Sequence, residues 1–389
     1  MQILFVCPYT PTPIRTRPYN LIRTLLERGH SVTLATLVEN ENEQRILQEF
    51  AEKGVRVLAE RFSKREAGLN VIRALGMGKP LQAVYSWRAH LAERIVSEIV
   101  NANPRFDVAH VEHLRGAQYG SWIQTQTPGH IPIVWDSVDC ISLLFEQAAQ
   151  VSRNAFGRIV TRIELPRTRR HEAWLVNQFP RVLVTSPKDK RALEELGDKF
   201  DARAHDADKI VVLPNGVDLD YFAPMNLPRD GCSVILTGKM SYHANATAAM
   251  YLVNDVMPRV WAHMPNVRVQ IVGQNPPREV EQLAQRNPER VSVTGMVDDL
   301  RPYLAKATIA VAPIMYGVGI QNKVLEAMAM QTPVVTTELS VSALNVQRDE
   351  HVLVGNSADD LARAIVRLLN DPVLREHVGA HGRRYVEQN

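Results

Sequence analysis

The fold of this chain is decided by one stretch, residues 313–329, which reads PIMYGVGIQNKVLEAMA. The apolar run Ile309–Ala312 precedes it and predicts a buried strand, and the pair Gly317 and Gly319 predicts a tight turn. A helix is predicted to follow over residues 323–330. Because glycines leave the backbone N–H groups at a helix start uncovered, such a turn can bind a diphosphate.

Two side chains of the same stretch have the spacing that a bound nucleotide requires. Gly319, Lys323 and Glu326 stand at i, i+4 and i+7 and therefore share one helix face. Glu326 lies roughly 9 Å along the helix from Ile320, about the reach from a pyrophosphate to a ribose whose hydroxyls a carboxylate can accept. An ordinary strand–turn–helix unit with a surface Lys–Glu pair is the alternative, but the whole stretch favours the nucleotide site.

Lys239 is a second candidate for the phosphate site. It follows Gly238 at the end of the apolar run Ser233–Thr237. A lysine at a strand end can stabilise the charge that develops on a leaving diphosphate. Any exposed turn can carry a lysine, so the position after a strand is what supports this interpretation.

The rest of the chain alternates between short apolar runs and amphipathic segments. Strands are predicted in two series, over 3–6, 31–37, 55–58, 108–111, 131–135 and 182–185, and over 209–213, 233–237, 267–272, 291–294, 309–312 and 334–337. Helices are predicted between them, at 19–28, 91–101, 246–257, 278–285 and 358–370 among others. The alternation predicts an α/β fold of two Rossmann-like domains with parallel sheets. We expect domains over 1–208 and 209–389, joined near the turn-rich segment 213–218 and facing each other across a cleft.

Composition excludes several classes of protein. The 389 residues are 45% hydrophobic and 22% charged, which is typical of a globular protein, and a net charge of +3 is too small for a dedicated nucleic-acid binder. Three cysteines without a C-x-x-C pair predict neither a disulfide framework nor a zinc site and favour the cytoplasm. No stretch approaches the ~18 apolar residues of a spanning helix, and the first residues lack the pattern of a signal peptide.

The loop that follows the first predicted strand carries two candidate ligands, Arg15 and Arg17. Either guanidinium could bind an acceptor phosphate or the donor, and two solvated arginines are the alternative. The loop lacks G-x-G-x-x-G, which excludes a dinucleotide fingerprint in this half of the chain.

Further polar side chains stand at the ends of the predicted strands 108–111 and 131–135. Alternation places His110 and Glu112 on one face and His113 on the other, and Asp136 follows the second strand. All four are candidate cleft residues. Structural buried histidines, and a helix-capping role for Asp136, are the alternatives.

The segment 153–170 holds six arginines against one acid, with apolar residues interleaved. A basic amphipathic helix of this kind could lie on the inner face of an anionic membrane beside a lipid-linked acceptor. A solvated interdomain helix is the alternative.

Several of these segments occur in an order that resembles glycosyltransferase family four, the retaining, nucleotide-sugar-dependent group with the GT-B fold. They are LPNGVD at 213–218, Gly238-Lys239, Val272-Gly273, GMVDDL at 295–300 and LEAMAMQTPVV at 325–335. The resemblance covers the whole chain and is stronger in its second half. The pattern over 238–245 looks more like a subgroup of sugar transferases associated with exopolysaccharide assembly.

The resemblance implies roles for particular residues. Glu326 would bind the ribose, and the backbone at Gly319 and Ile320 would bind the phosphates beside Gly317, Val318 and Lys323. Lys239, next to Gly238, would contact the diphosphate, and Met296 and Val297 would lie beside the nucleobase. The strand that ends at Glu112 and His113 would lie near the donor sugar, so Glu112, His113 and Lys239 are the candidate catalytic residues.

Two departures from the family pattern are visible. Val318 stands where the family has the first of two glutamates, which contacts the donor sugar. A second phosphate-binding lysine is replaced by Ala244 or Asn245. Phosphate binding is therefore expected to depend more on Lys239 and Lys323.

The sequence thus predicts a glycosyltransferase of the hexosyltransferase type, acting from a nucleotide-diphosphate sugar on a glycan or lipid-linked acceptor. A nucleotide-sugar epimerase and a non-catalytic nucleotide-sugar-binding partner are the alternatives. The Asp-x-Asp pairs at 206–208 and 218–220 do not follow a strand end that would point at a diphosphate. We therefore expect neither a metal nor another cofactor.

Overall fold

The computed structural model describes residues 1–13, 15–151, 155–200, 208–317 and 320–389. The chain divides into two compact units, Met1–Pro214 and Asn215–Asn389. Each unit contains one parallel sheet with helices in its connections, which confirms the predicted α/β fold of two Rossmann-like domains.

The first unit is built on a parallel sheet in which seven described strands lie in the order β3-β2-β1-β4-β5-β6-β7. They are β1 (Gln2–Cys7), β2 (Ser31–Val38), β3 (Arg56–Arg61), β4 (Val108–Glu112), β5 (Ile133–Val138), β6 (Arg181–Val184) and β7 (Ile210–Val212). Leu4 of β1 is paired with Thr33 of β2 on one side and with Ala109 of β4 on the other. The chain therefore changes winding direction between β1 and β4, and ligands of such sheets bind at that point.

Helices connect these strands. They are α1 (Thr16–Glu27), α2 (Glu41–Glu52), α3 (Lys64–Met77), α4 (Leu81–Tyr85), α5 (Ala89–Asn101), α6 (His113–Gln126), α7 (Ile141–Val151), α8 (Ala155–Gln178) and α9 (Pro187–Phe200). The sheet is covered by apolar side chains on both faces, which explains why its strands are continuous apolar runs in the sequence.

The second unit repeats this plan with six described strands in the order β10-β9-β8-β11-β12-β13. They are β8 (Ser233–Thr237), β9 (Arg268–Val272), β10 (Val291–Val293), β11 (Ile309–Ala312), β12 (Val334–Thr336) and β13 (Leu353–Val354). Here the winding direction changes between β8 and β11. The short strand β13 was not predicted, because two residues are too few to give a recognisable apolar run.

The helices of the second unit begin with α10 (His243–Tyr251) and α11 (Met257–His263), which a π-helical turn, Leu252–Val256, joins. The sequence predicted one continuous helix here. Pro258, in the first turn of α11, has no N–H group to donate, so the regular ladder of hydrogen bonds is interrupted at this point. The remaining helices are α12 (Arg278–Arg286), α13 (Arg301–Lys306), α14 (Asn322–Ala329), α15 (Glu338–Val341), α16 (Ala358–Asn370) and α17 (Pro372–Gln388).

One strand belongs to a different sheet from the one predicted. The run 209–213 was assigned to the second series, but β7 pairs with β6 of the first sheet, with Val182 opposite Ile210. Leu213 N–H also donates to Val184 O. A three-residue apolar strand carries no signal for its neighbour, so the sequence could not assign it to a sheet.

None of the helices in the described part of the chain combines the length and the apolar content that crossing a membrane requires.

Candidate functional site

Most of the sequence-predicted donor residues of the second unit lie in the segments that follow β8 and β11, on either side of the change in winding direction. Gly238 and Lys239 follow β8, whereas Lys323 and Glu326 lie in α14, the helix that follows β11. Separate segments of the chain thus converge at the place where open α/β sheets bind ligands.

Glycines allow the strand ends at this edge to come unusually close. A Cβ on Gly273 would lie 1.7 Å from Gly238 O, so no other residue fits there without moving the backbone. Gly238 N–H donates to Val272 O at 3.1 Å. Gly238 has a φ of 144°, a backbone conformation that residues with a side chain rarely adopt. The ends of β8 and β9 are therefore held together by direct backbone contact.

Lys323 crosses from α14 to the end of β8. Its Cε would lie 3.3 Å from a Cβ placed on Gly238, and its Nζ donates to Gln321 Oε1 at 3.1 Å. Burial lowers the pKa of Lys323 to about 8, although the nearby Glu326 carboxylate opposes that shift. The ammonium group is thus mostly charged at neutral pH but poorly hydrated, which strengthens its attraction for a phosphate.

Glu326 lies on the same helix and offers an available carboxylate. Its side chain is half-buried and makes no hydrogen bond or ion pair of 4 Å or less with a described residue. Burial raises the pKa of Glu326 to about 7, while the charge of Lys323 lowers it. A partly desolvated carboxylate that makes no hydrogen bond with a described residue is well suited to accept hydrogen bonds from two ribose hydroxyls.

The loop after β11 is fixed on two sides. The Tyr316 hydroxyl lies 2.8 Å from His243 Nδ1, and the two rings stack at a centroid distance of 5.3 Å. Thr337 Oγ1 donates to Ile314 O at 2.7 Å. Burial lowers the pKa of His243, so the imidazole is neutral and can accept a hydrogen bond from the Tyr316 hydroxyl. Sequence reasoning missed this pair, whose members are far apart along the chain.

The turn after β8 exposes Lys239 and is held by Asn245. Asn245 Nδ2 donates to Lys239 O at 3.0 Å, which fixes the backbone that carries the lysine. Asn245 is one of the two residues that stand where the family has a lysine. Its observed contact gives it a positioning role in the turn.

The remaining predicted donor residues are only partly described. Val318 and Gly319, in the turn predicted to bind the phosphates, lie outside the described residues. Gly317 and Ile320 border it, and Ile320 is buried. Met296 is 61% exposed after the end of β10, while the half-buried Val297 packs against an apolar cluster that includes Ile320.

In the first unit, Glu112 is buried at the end of β4 and does not reach solvent. It is 1% exposed, and Oε1 accepts a hydrogen bond from the Tyr9 hydroxyl at 2.8 Å. Burial and the charge of Asp136 raise the pKa of Glu112 to about 8, so its carboxyl group is protonated at neutral pH. The side chain is therefore part of the core beneath the strand ends.

Arg17 is engaged inside the first unit, contrary to the expectation that it points toward a ligand. Arg17 Nε donates to Asp136 at 2.8 Å, and Nη1 donates to Leu213 O at 2.9 Å. Burial alone would raise the pKa of Asp136, but the neighbouring His110 and Arg17 side chains hold that pKa below the ordinary value. His110 stacks on Phe5 and places Nε2 3.4 Å from Asp136. These residues form a buried ionic cluster.

Arg15 also has partners in its own unit. Its Nη1 donates to Thr10 O at 2.9 Å and to Glu43 at 3.1 Å, and its guanidinium lies over the Tyr9 ring. The side chain is still 27% exposed.

His113 is the predicted acceptor-side residue with the most unusual geometry. It begins α6 with a φ of 65°, a left-handed conformation that few residues other than glycine adopt. Its Nδ1 accepts a hydrogen bond from Arg115 N–H at 3.3 Å. Burial, reinforced by the charge of Arg115, lowers the pKa of His113 to about 3. The ring is therefore neutral with its proton on Nε2, which is left as a hydrogen-bond donor.

Among the described residues no group of three or more His, Cys, Asp or Glu side chains is arranged to hold a metal ion. Of the two Asp-x-Asp pairs, positions 206 and 207 lie outside the described residues. Asp218 Oδ1 accepts hydrogen bonds from the backbone of Asp220 and Tyr221.

Two doubly wound parallel sheets, with basic groups and a carboxylate near the change of winding direction in the second, define a protein of two Rossmann-like domains. Comparison with known families identifies the group. The pattern described as "Glycosyl transferase 4-like domain" matches residues 14–216, and that described as "Glycosyl transferases group 1" matches residues 231–371. The chain belongs to glycosyltransferase family four.

Similar proteins agree with this assignment. The phosphatidyl-myo-inositol mannosyltransferase of Mycobacterium leprae is 29% identical over 205 residues, which are 51% of this chain and 54% of that protein. The chain thus matches about half the length of this relative.

Solved structures share the fold over the whole chain. Sucrose-phosphate synthase from Thermosynechococcus elongatus has a TM-score of 0.70 at 19% identity, covering 100% of this chain and 94% of that one. Anabaena HepE in complex with UDP and glucose has a TM-score of 0.68 at 15% identity, covering 100% and 95%. These likenesses place the chain in the GT-B fold class.

Proposed function

We propose that the chain transfers a hexose from a nucleotide-diphosphate sugar to a glycan or lipid-linked acceptor, with retention at the anomeric carbon. The observation that carries this proposal is that Lys323 and Glu326 lie three residues apart on α14, with Lys323 reaching Gly238 at the end of β8. An available carboxylate there stands near a desolvated ammonium group, on the helix that begins after the predicted phosphate turn. Family membership supports sugar transfer as the reaction.

Each group has a distinct task in the proposed reaction. Lys323 and the N-terminus of α14 would offset the two negative charges of the diphosphate. Glu326 would accept hydrogen bonds from the ribose and so fix the nucleotide along the helix. Lys239, which is exposed, would stabilise the leaving diphosphate as the bond to the sugar breaks. His113 Nε2–H would donate to a hydroxyl of the reacting sugar.

The acceptor class and the setting are also proposals. The name of the mycobacterial relative supports a lipid-linked acceptor, since that protein is described as acting on phosphatidyl-myo-inositol. The likeness of residues 238–245 to exopolysaccharide-associated transferases supports a role in polysaccharide assembly, in the cytoplasm and next to the membrane. The basic segment 153–170 is one proposed point of membrane contact.

A donor screen tests the proposal. Thermal shift with UDP-, GDP- and ADP-sugars should identify one that stabilises the protein, and Glu326→Ala and Lys239→Ala should each abolish that shift. Glu281→Ala and Lys306→Ala, at exposed positions of the same unit, serve as matched controls. Unchanged shifts in both site variants would reject the donor assignment.

Turnover of a radiolabelled donor with a lipid extract then identifies the reaction. Label that enters lipid or polymer indicates transfer, whereas an altered free sugar nucleotide indicates an epimerase and binding alone indicates a non-catalytic partner. We propose that no metal takes part, because Lys239, Lys323 and the helix start can offset the diphosphate charge. Loss of transfer in EDTA with recovery on adding Mg²⁺ would overturn that part.

A further inference from the structure

Helix α3 has the reverse of the pattern expected for a surface helix. The two residues that it buries are Ala67 and Ala74. Four large apolar side chains are exposed instead: Leu69 at 53%, Ile72 at 67%, Leu75 at 53% and Met77 at 69%. Since surface helices normally turn their apolar stripe toward the core, packing within this unit does not account for these residues.

The inner side of α3 is held by polar contacts. Asn70 Nδ2 donates to Trp87 O at 3.0 Å, and Glu66 pairs with the buried Arg88 at 3.0 Å. Ser63 caps the helix by accepting from Glu66 N–H. These contacts fix the rotation of the helix about its own axis. Its apolar side therefore faces solvent.

The outward residues share one side of the helix. Leu69, Ile72 and Leu75 follow one another at intervals of three and therefore lie along one face. Gly68 and Gly76 stand beside them, and no heavy atom lies within 4 Å of where their Cβ atoms would be. No described residue covers this strip, which we call the α3 outer face: Leu69, Ile72 and Leu75.

Basic side chains flank the α3 outer face. Residues 64–79 contain Lys64, Arg65, Arg73 and Lys79 against a single acid, Glu66, and that acid is paired with Arg88. An apolar strip with basic flanks matches the interface of an anionic bilayer, where aliphatic groups enter the acyl region and Lys or Arg meets headgroup phosphates.

We propose that the α3 outer face docks on an anionic phospholipid surface. Leu69, Ile72 and Leu75 enter the acyl boundary, while Arg65 and Arg73 contact lipid phosphates. The composition favours lipid over a protein partner, because the strip is purely aliphatic, whereas protein interfaces are enriched in aromatic residues. Long basic side chains can also extend from an apolar strip to the headgroups.

The proposal differs from the sequence-based expectation for segment 153–170. In α8, Arg167 pairs with Glu164 and Arg169 pairs with Glu146, so part of the positive charge of that segment is already compensated. The proposal for the α3 outer face is also independent of the sugar-transfer proposal. Vesicle binding can fail while transfer to a soluble acceptor holds, and the reverse can also occur.

The test is flotation of the full chain with phosphatidylcholine vesicles, with and without phosphatidylglycerol. The protein should float with the anionic vesicles only, and added salt should weaken the binding. The double variant Ile72→Glu/Leu75→Glu should reduce the bound fraction about tenfold or more, since it removes inserted apolar area and adds like charge. Val100→Glu and Val373→Glu, at positions that are 61% and 78% exposed, are the matched controls and should bind like the parent chain.

A label on α3 gives an independent readout. In a Cys232→Ser background, which removes the cysteine that is not fully buried, Ile72→Cys carries an environment-sensitive dye. Its emission should shift to the blue with anionic vesicles and remain unchanged with neutral ones. Absence of vesicle binding by the parent chain would overturn the proposal. Self-association that Ile72→Glu/Leu75→Glu abolishes, without vesicle binding, would assign the face to a second copy instead.

Discussion

Glu112 and Asp136 stand opposite each other on β4 and β5, yet at neutral pH the buried carboxyl group of Glu112 is protonated and that of Asp136 is ionised. Arg17 and His110 keep Asp136 ionised, whereas Glu112 is left with the Tyr9 hydroxyl and a pKa of about 8. Its second oxygen, Oε2, has no partner among the described residues. Two adjacent carboxylates could not both be charged in this core, so the pair shares one negative charge.

Glu112→Gln should therefore change stability in a pH-dependent way. The folded pKa of Glu112 is raised above the ordinary value of 4.5, so the unfolded chain binds fewer protons than the folded one between pH 4.5 and about 8. The contribution of Glu112 to the free energy of unfolding is therefore lost as the pH rises through that window. The difference in free energy of unfolding between variant and parent should move in favour of the variant by more than about 1 kcal/mol as the pH rises from about 5 to 8, measured by urea titration. The exposed Glu49→Gln is the control, and a constant difference from the parent would contradict the assignment.

Donor binding should pass through a maximum near neutral pH. Below a pH of about 7 Glu326 becomes protonated and is a weaker acceptor for ribose, and above about 8 Lys323 loses its charge. Calorimetry should use a nucleotide sugar, because its diphosphate diester does not titrate in this range. Glu326→Gln should remove the acidic limb of the profile and Lys323→Met the alkaline limb. Identical profiles for parent and variants would show that neither group contacts the donor.

Tyr316→Phe should weaken donor binding while leaving the unit folded. The variant loses the hydrogen bond to His243 that fixes the loop after β11, and one such bond contributes about 1 kcal/mol. We expect up to about a tenfold increase in donor Kd with a small change in Tm. Tyr251→Phe, on the same helix as His243, is the control. A large loss of Tm with unchanged donor Kd would mean that the pair is purely structural.

Gly273→Ala should destabilise the second unit severely. The added Cβ would lie 1.7 Å from Gly238 O, so the ends of β8 and β9 must separate. We expect a loss above about 3 kcal/mol, seen as a lower Tm or as insoluble protein. Gly216→Ala is the matched change, because no heavy atom lies within 4 Å of its Cβ position. Equal stability of the two variants would contradict the close backbone contact.

His113→Gln should retain more activity than His113→Ala. Gln can place an N–H donor near the position of Nε2, whereas Ala removes it. If His113 donates to the reacting sugar, kcat should fall about 100-fold in the Ala variant and less in the Gln variant, with donor Kd unchanged. Equal losses in both variants, together with a lower Tm, would point to the strained backbone at this position instead.

Much of the fold could be predicted because buried parallel strands are continuous apolar runs. Ser233–Thr237 and Ile309–Ala312 were predicted with the bounds that the structure gives them. Pairing is not local, so the sheet of β7 was assigned wrongly and β13 was missed. The spacing of Lys323 and Glu326 could be seen in the sequence because both lie on one helix.

Contacts between distant segments could not be predicted in the same way. His243 meets Tyr316 and Tyr9 meets Glu112 only after the strands are ordered in the sheet. The partner of Arg17 could not be predicted either. The sequence suggested that Arg17 binds a ligand, but in the structure it pairs with Asp136. A polar residue at a strand end can face solvent or a buried partner, and local sequence does not distinguish the two.

The exposure of Met296 beyond the end of β10 bears on how this scaffold could be re-engineered. Saturation libraries at that position would perturb no core contact, whereas Gly238 and Gly273 tolerate almost no replacement. If Met296 lies beside the base, a switch from one nucleotide to another is the change in substrate preference that laboratory evolution should reach most readily.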